Sequence, residues 1–194
     1  MRTITIASAG IVLISLMACD LFQTRPTEPP GGTSSPWIPP FQVEQVFLNM
    51  SQAMGDLNAD DYLKCFFAPD DESQTFLFLP NPGYVGWPLS LPWGYNEEDQ
   101  TIRYLFSLLT INSPGFLMFE EEGKIVYGNE DSVWVTQSYN LTVPVIDETL
   151  PQEVTGRSDF YLARNSTGYW AIYRWEDLEG SPSWTDLKAG LYNP

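Results

Sequence analysis

Arg157, Asp159 and Tyr161 stand two residues apart, the spacing that puts side chains on one face of a β-strand. A carboxylate beside a guanidinium stays ionised and can act as a general base, and a neighbouring ring can stack on a substrate. The same triplet also fits an outer sheet face carrying a solvent-screened ion pair, and period-two spacing leaves open which face points inward. The chain has no histidine. That excludes Ser-His-Asp and Cys-His catalysis, HExxH zinc sites and any imidazole base.

Other residues invite a chemical reading. Tyr84, Trp87, Trp93, Tyr95 and Tyr104 gather around a Pro- and Gly-rich loop, residues 80–95, and the segment after it. Such rings either line the mouth of a cleft for a small apolar or sugar ligand or fold the loop onto a core. The clusters Asp60-Asp61, Asp70-Asp71-Glu72, Glu97-Glu98-Asp99 and Glu120-Glu121-Glu122 lack the spacing of a calcium loop. Two of them fit first turns of helices, where the dipole favours negative charge, so no metal or cofactor is read from them. Arg174 fits over an aromatic surface, and Asp177 fits as a cap on the turn 178–180. Cys65, between Lys64 and Phe66, reads as a buried inert thiol.

These residues sit in a chain of 194, with 9 Lys+Arg against 25 Asp+Glu, a net charge of -16 and 43% hydrophobic residues. The hydrophobic fraction supports one compact domain with appendages. The acidity excludes nucleic acid as a partner, because a phosphate backbone needs clustered Lys and Arg.

Arg2 followed by the uncharged apolar stretch Ile4 to Met17 reads as a signal segment over residues 1–18, too short at ~1.5 Å per residue for a ~30 Å hydrocarbon core. Leu16-Met17-Ala18-Cys19 resembles the lipobox of bacterial lipoproteins, which implies acylation of Cys19 and cleavage before it. Two or three acyl chains anchor a protein stably, which places the domain on a membrane of the bacterial envelope, periplasmic or exterior-facing. Residues 19–40 hold six prolines after the cysteine and read as a tether, with Trp37 and Ile38 apolar enough to dock on the domain.

Helical spacing begins after Phe41: Val43, Val46, Phe47, Met50, Ala53 and Met54 form one stripe, with Gly55 expected as the left-handed terminator. Asn58 caps a short helix over 59–67, and Asn96 is expected to cap a third whose stripe is Ile102, Leu105, Phe106 and Leu109. A short strand is expected over 75–79. From Gly115 onward, alternation over 133–143, 154–164 and 169–175 predicts strands, the last two joined by the turn 165–168. Helices followed by long strands predict an α+β fold, a curved antiparallel sheet with helices on one face, over 41–179, with 180–194 as a C-terminal tail.

The segments "MSQAMGDLNADDYLKCFF" and "TGYWAIYRWED" resemble the paired helices and terminal strand of the nuclear transport factor 2-like (SnoaL-like) superfamily. The resemblance implies a cone whose sheet wraps around a pocket closed by helices. Its enzymes place an Asp or His in the cone, and without histidine a single carboxylate base remains. Fold does not confer activity. The chain is therefore expected to be a non-catalytic module for a small ligand or a protein partner. The alternatives are a lyase or isomerase using Asp159 in the cone, and a homodimer through the open sheet face.

Overall fold

The computed structural model describes residues 37–71, 73–86, 93–121, 126–129, 131–145, 147 and 149–192. The signal segment, Cys19, most of the tether and Trp87 lie outside the described residues.

Helix α1 (Val43–Asp56) buries the six-residue stripe read from the sequence. It stops at Leu57, whose φ of 52° takes the left-handed conformation expected of Gly55. Leu57 adopts it because Asn58 directly follows as cap of α2 (Ala59–Leu63), its side chain accepting from the Asp61 N–H. A third helix, α3 (Tyr95–Leu108), begins two residues earlier than expected. Gly94 is its N-cap, and the Glu97 carboxylate accepts the Gly94 N–H at 2.9 Å.

The sheet contains β1 (Leu77–Leu79), β2 (Phe116–Glu121), β3 (Val126–Asn129), β4 (Ser132–Thr142), β5 (Glu153–Arg164) and β6 (Trp170–Glu179). Its order is β1-β6-β5-β4-β2, with β3 also paired to β4. β1 runs parallel to β6, and the other pairings are antiparallel. This is the α+β architecture expected from the alternation. Bulges at Arg157/Ser158 and Tyr161/Leu162 between β5 and β6 bend the sheet.

One face of the sheet meets the helices. Val133, Val135, Tyr139 and Leu141 of β4, Val154, Phe160 and Leu162 of β5, and Ile172 and Trp175 of β6 are buried there. Phe47 of α1 packs edge-on against Phe119 and Phe160 at 5.1 Å each, which fixes the helix across the sheet.

The expected tail is helical. Helix α4 (Trp184–Tyr192) buries Trp184, Leu187, Lys188 and Leu191 at the three- and four-residue spacing of one helix face. Two glycines let the chain turn there. A Cβ on Gly156 would collide with Glu179 O and the Tyr139 hydroxyl. One on Gly180, at φ +150°, would strike Thr155 O.

Candidate functional site

Arg157, Asp159 and Tyr161 share a face, as their spacing requires, but it is the face away from the helices. Their register partners on β4 are Ser138, Thr136 and Trp134, whereas the intervening Ser158 and Phe160 pair with Gln137 and Val135 on the core side. Asp159 accepts the Thr136 hydroxyl at 2.6 Å. Tyr161 stacks on Trp134 at 6.0 Å, and Arg174 lies over the Tyr161 ring at 5.2 Å. Arg157 pairs with Glu179 at 3.3 Å. Asp159 therefore cannot serve as a base between sheet and helices. Phe160 and Leu162 take the core side because their apolar area outweighs anything the polar set would gain there.

The aromatic set does not form one cluster. Trp93 is fully buried, its indole N–H donating to Glu98 at 2.8 Å, so its part of the loop folds onto the core. Tyr104 is 36% exposed on the outer side of α3. Of the described members, Tyr95 borders an open concavity. Cys65 is buried, and burial raises its thiol well above the usual range.

The polar groups inside the fold lie elsewhere. Glu98 of α3 and Lys188 of α4 form an ion pair with side chains 2% and 1% exposed. The ammonium is surrounded by the rings of Phe78, Trp93, Trp175 and Trp184, with centroids at 4.5, 5.3, 4.5 and 5.4 Å. The other Glu98 oxygen accepts the Tyr62 hydroxyl at 2.9 Å. Burial lowers the Lys188 pKa, with Glu98 opposing the shift. Burial, then Glu98, holds the Tyr62 phenol well above its usual range.

A second buried network centres on Asp177, which is no turn cap. Its Oδ1 accepts from Tyr139 at 2.8 Å and Ser158 at 3.2 Å, and its Oδ2 from the Thr185 N–H and hydroxyl at 2.9 and 2.6 Å. Both carboxylates thus spend their acceptor capacity on fixed protein donors, which suits them to position helix α4 rather than to take a proton from a substrate. Sequence reading missed Glu98 because it sat in a helix first turn, and Lys188 because its segment read as a tail. The 184–187–188–191 apolar spacing was the available signal.

The open concavity is a cleft of about 360 Å³ at the end of the fold where the chain enters α1. Trp37 and Pro40 form one wall, Lys64 and Phe66 the base of α2, and Asp70, Tyr95 and Tyr169 lie around it. The wall segment is fixed by two backbone carbonyls: Ile38 O accepts from Asn49 at 2.8 Å, and Pro40 O from the Trp170 N–H at 2.9 Å. The docking expected for Trp37 is thus present, while Ile38 is exposed. Across the cleft, Asp71 accepts from Ser73 and from the Ser166 N–H, tying the 68–71 turn to the β5–β6 hairpin. Those hydrogen bonds, the Ser73 hydroxyl's first, lower the Asp71 pKa to about 2. Such a lining, rings for area and a few polar groups for orientation, can hold a small molecule.

No protein-family model and no curated protein sequence matches the chain. Solved structures do. A nuclear transport factor 2-like protein of unknown function from Shewanella oneidensis MR-1 superposes with a TM-score of 0.52 at 14% identity, covering 71% of this chain and 96% of that one. A conserved protein from Planctomyces limnophilus DSM 3776 gives 0.54 at 18% identity, covering 70% and 91%. A protein described as a candidate scytalone dehydratase from Novosphingobium aromaticivorans DSM 12444 gives 0.52 at 11%, covering 72% and 84%. At these identities the likeness establishes the fold, a nuclear transport factor 2-like cone, and carries no activity with it.

Proposed function

We propose that this chain is a membrane-anchored lipoprotein of a bacterial envelope whose cone domain is a non-catalytic binding module, with the cleft beside Trp37 as its ligand site. One contrast carries the reading. The carboxylates inside the cone are saturated by Lys188, Tyr62, Trp93, Tyr139, Ser158 and Thr185, while the cleft presents rings and Asp70, a carboxylate with no partner among the described residues. Anchoring is supported by the lipobox-like Leu16 to Cys19 behind an apolar leader.

Two experiments test it. Native mass spectrometry of the full-length protein in nanodiscs should find a small molecule retained by the wild type and lost from Tyr169→Ala; equal retention by both would sink the cleft as the site. Labelled palmitate should enter the wild type and not Cys19→Ser, and incorporation into that variant would overturn the anchor.

We also propose that the outer sheet face pairs with a second copy, because Phe116, Met118 and Trp134 are 59%, 44% and 39% exposed there. Light scattering on the detergent-extracted full chain should give a dimer mass that Trp134→Glu halves. A monomer at all concentrations removes this reading.

A further inference from the structure

We propose that the ligand of the cleft is an organic ammonium compound, a cation carried on an apolar body. This assignment rests on the cleft being the binding site. Asp70, exposed at its edge, makes no hydrogen bond or ion pair with any described residue. Its neighbour Asp71 is already satisfied by Ser73 and Ser166, so Asp70 is the carboxylate left to face a guest. The cations nearby are taken: Lys64 pairs with Asp61 at 2.6 Å, and Arg103 with Asp60 and Asp99 at 2.6 Å each. The Tyr95 phenol is pushed up by burial first and then by Asp99, with Arg103 opposing and Asp60 and Asp70 adding smaller raising effects, so the Asp70 charge is felt at the cleft wall.

Three donors of the hairpin beside the cleft are likewise engaged within the protein. The Ser166 N–H goes to Asp71, and the Thr167 N–H and hydroxyl go to Asn165. The rings, by contrast, offer π-faces. Lys64 Nζ lies 5.5 Å from the Trp37 ring centroid, so the structure itself places an ammonium over that wall. Lys64 would compete with an incoming cation there, and removing its charge should strengthen binding.

The test uses the full-length protein in phosphatidylcholine nanodiscs, with phenethylammonium, phenylethanol and phenylacetate as probes and binding read by saturation-transfer NMR and calorimetry against empty nanodiscs. The cation should bind at least about tenfold tighter than the alcohol (about 1.4 kcal/mol), and the acid weakest. Asp70→Asn should bring the cation down to the level of the alcohol, and Lys64→Met should tighten the cation alone. If alcohol and cation bind equally to the wild type, or Asp70→Asn leaves their ratio unchanged, the cationic assignment falls. The cleft itself survives those results provided Tyr169→Ala abolishes what binding there is. Binding unaffected by Tyr169→Ala, or none by any probe, overturns the site as well.

Discussion

Lys188 on the C-terminal helix and Glu98 on α3 meet inside the fold with side chains 1% and 2% exposed, ninety residues apart in sequence. Taking two charges out of water is costly, and mutual attraction offsets the cost only when both are present. Lys188→Met or Glu98→Gln alone should therefore cost about 3–5 kcal/mol, while the double variant should cost much less than the sum. Urea unfolding of the four proteins gives the coupling. Strictly additive losses would show that the two groups do not depend on each other.

Asp177 holds four donors from β4, β5 and the start of α4. Asp177→Ala strands those donors in a dry environment and should lower stability by about 3 kcal/mol or more, whereas Asp177→Asn, which keeps one acceptor, should lose less. Thermal unfolding ranks the two. Gly156→Ala should mimic the alanine variant in part, because its methyl group would displace the Tyr139 hydroxyl from Asp177.

Tyr62 and Tyr139 both carry phenols raised above 10.0, in each case first by burial and then by the carboxylate they face. An unfolded tyrosine loses its proton near pH 10 while these two keep theirs, so the unfolded state is favoured as pH climbs. Their contribution is complete below pH 10 and declines above it. Above about pH 10 stability should fall, the two phenols contributing a slope of about two protons on top of the loss from the buried Cys65 thiol. Tyr62→Phe and Tyr139→Phe should each remove about one.

The acid side reports on Asp71. Its folded pKa of about 2 lies below the ordinary 3.8, so the stability that the tie between the 68–71 turn and the hairpin contributes is complete above about pH 4 and declines as pH falls from there toward 2. The protection factor of the Ser166 amide, from NMR exchange corrected for the intrinsic rate, should fall over that window. In Asp71→Asn it should be lower at neutral pH and lose most of its acid dependence.

Helix α1 and strand β4 were legible because each buries a single stripe: Val43 to Met54 at helical spacing, and Val133 to Val143 at period two. Terminators were harder. The spacing pointed to Gly55, yet Leu57 makes the left-handed turn, since the position is set by where Asn58 can cap the next helix. Arg157, Asp159 and Tyr161 were correctly grouped on one face, but alternation has no sign, and only the packing of Phe160 against Phe47 and Trp175 says which side is inner. Glu98 and Lys188 were hidden for another reason. Each side chain has an unremarkable solvent role in its own segment, and their partnership exists only once α4 closes on α3. The cleft was hidden likewise, being assembled from four separated stretches: 37–40, 63–71, Tyr95 and 165–169.

Ile38 and Pro40 are fastened to the domain by their carbonyls, and Trp37 beside them forms a wall of the cleft. Tension arriving from the preceding chain must therefore reach the fold through those two hydrogen bonds before it loads the sheet. They would unzip one after the other, the Ile38 bond before the Pro40 bond, once Trp37 had left its packing. Were the proposed anchor to pull on the chain, the Trp37 wall of the cleft would open while the aromatic interior stayed shut.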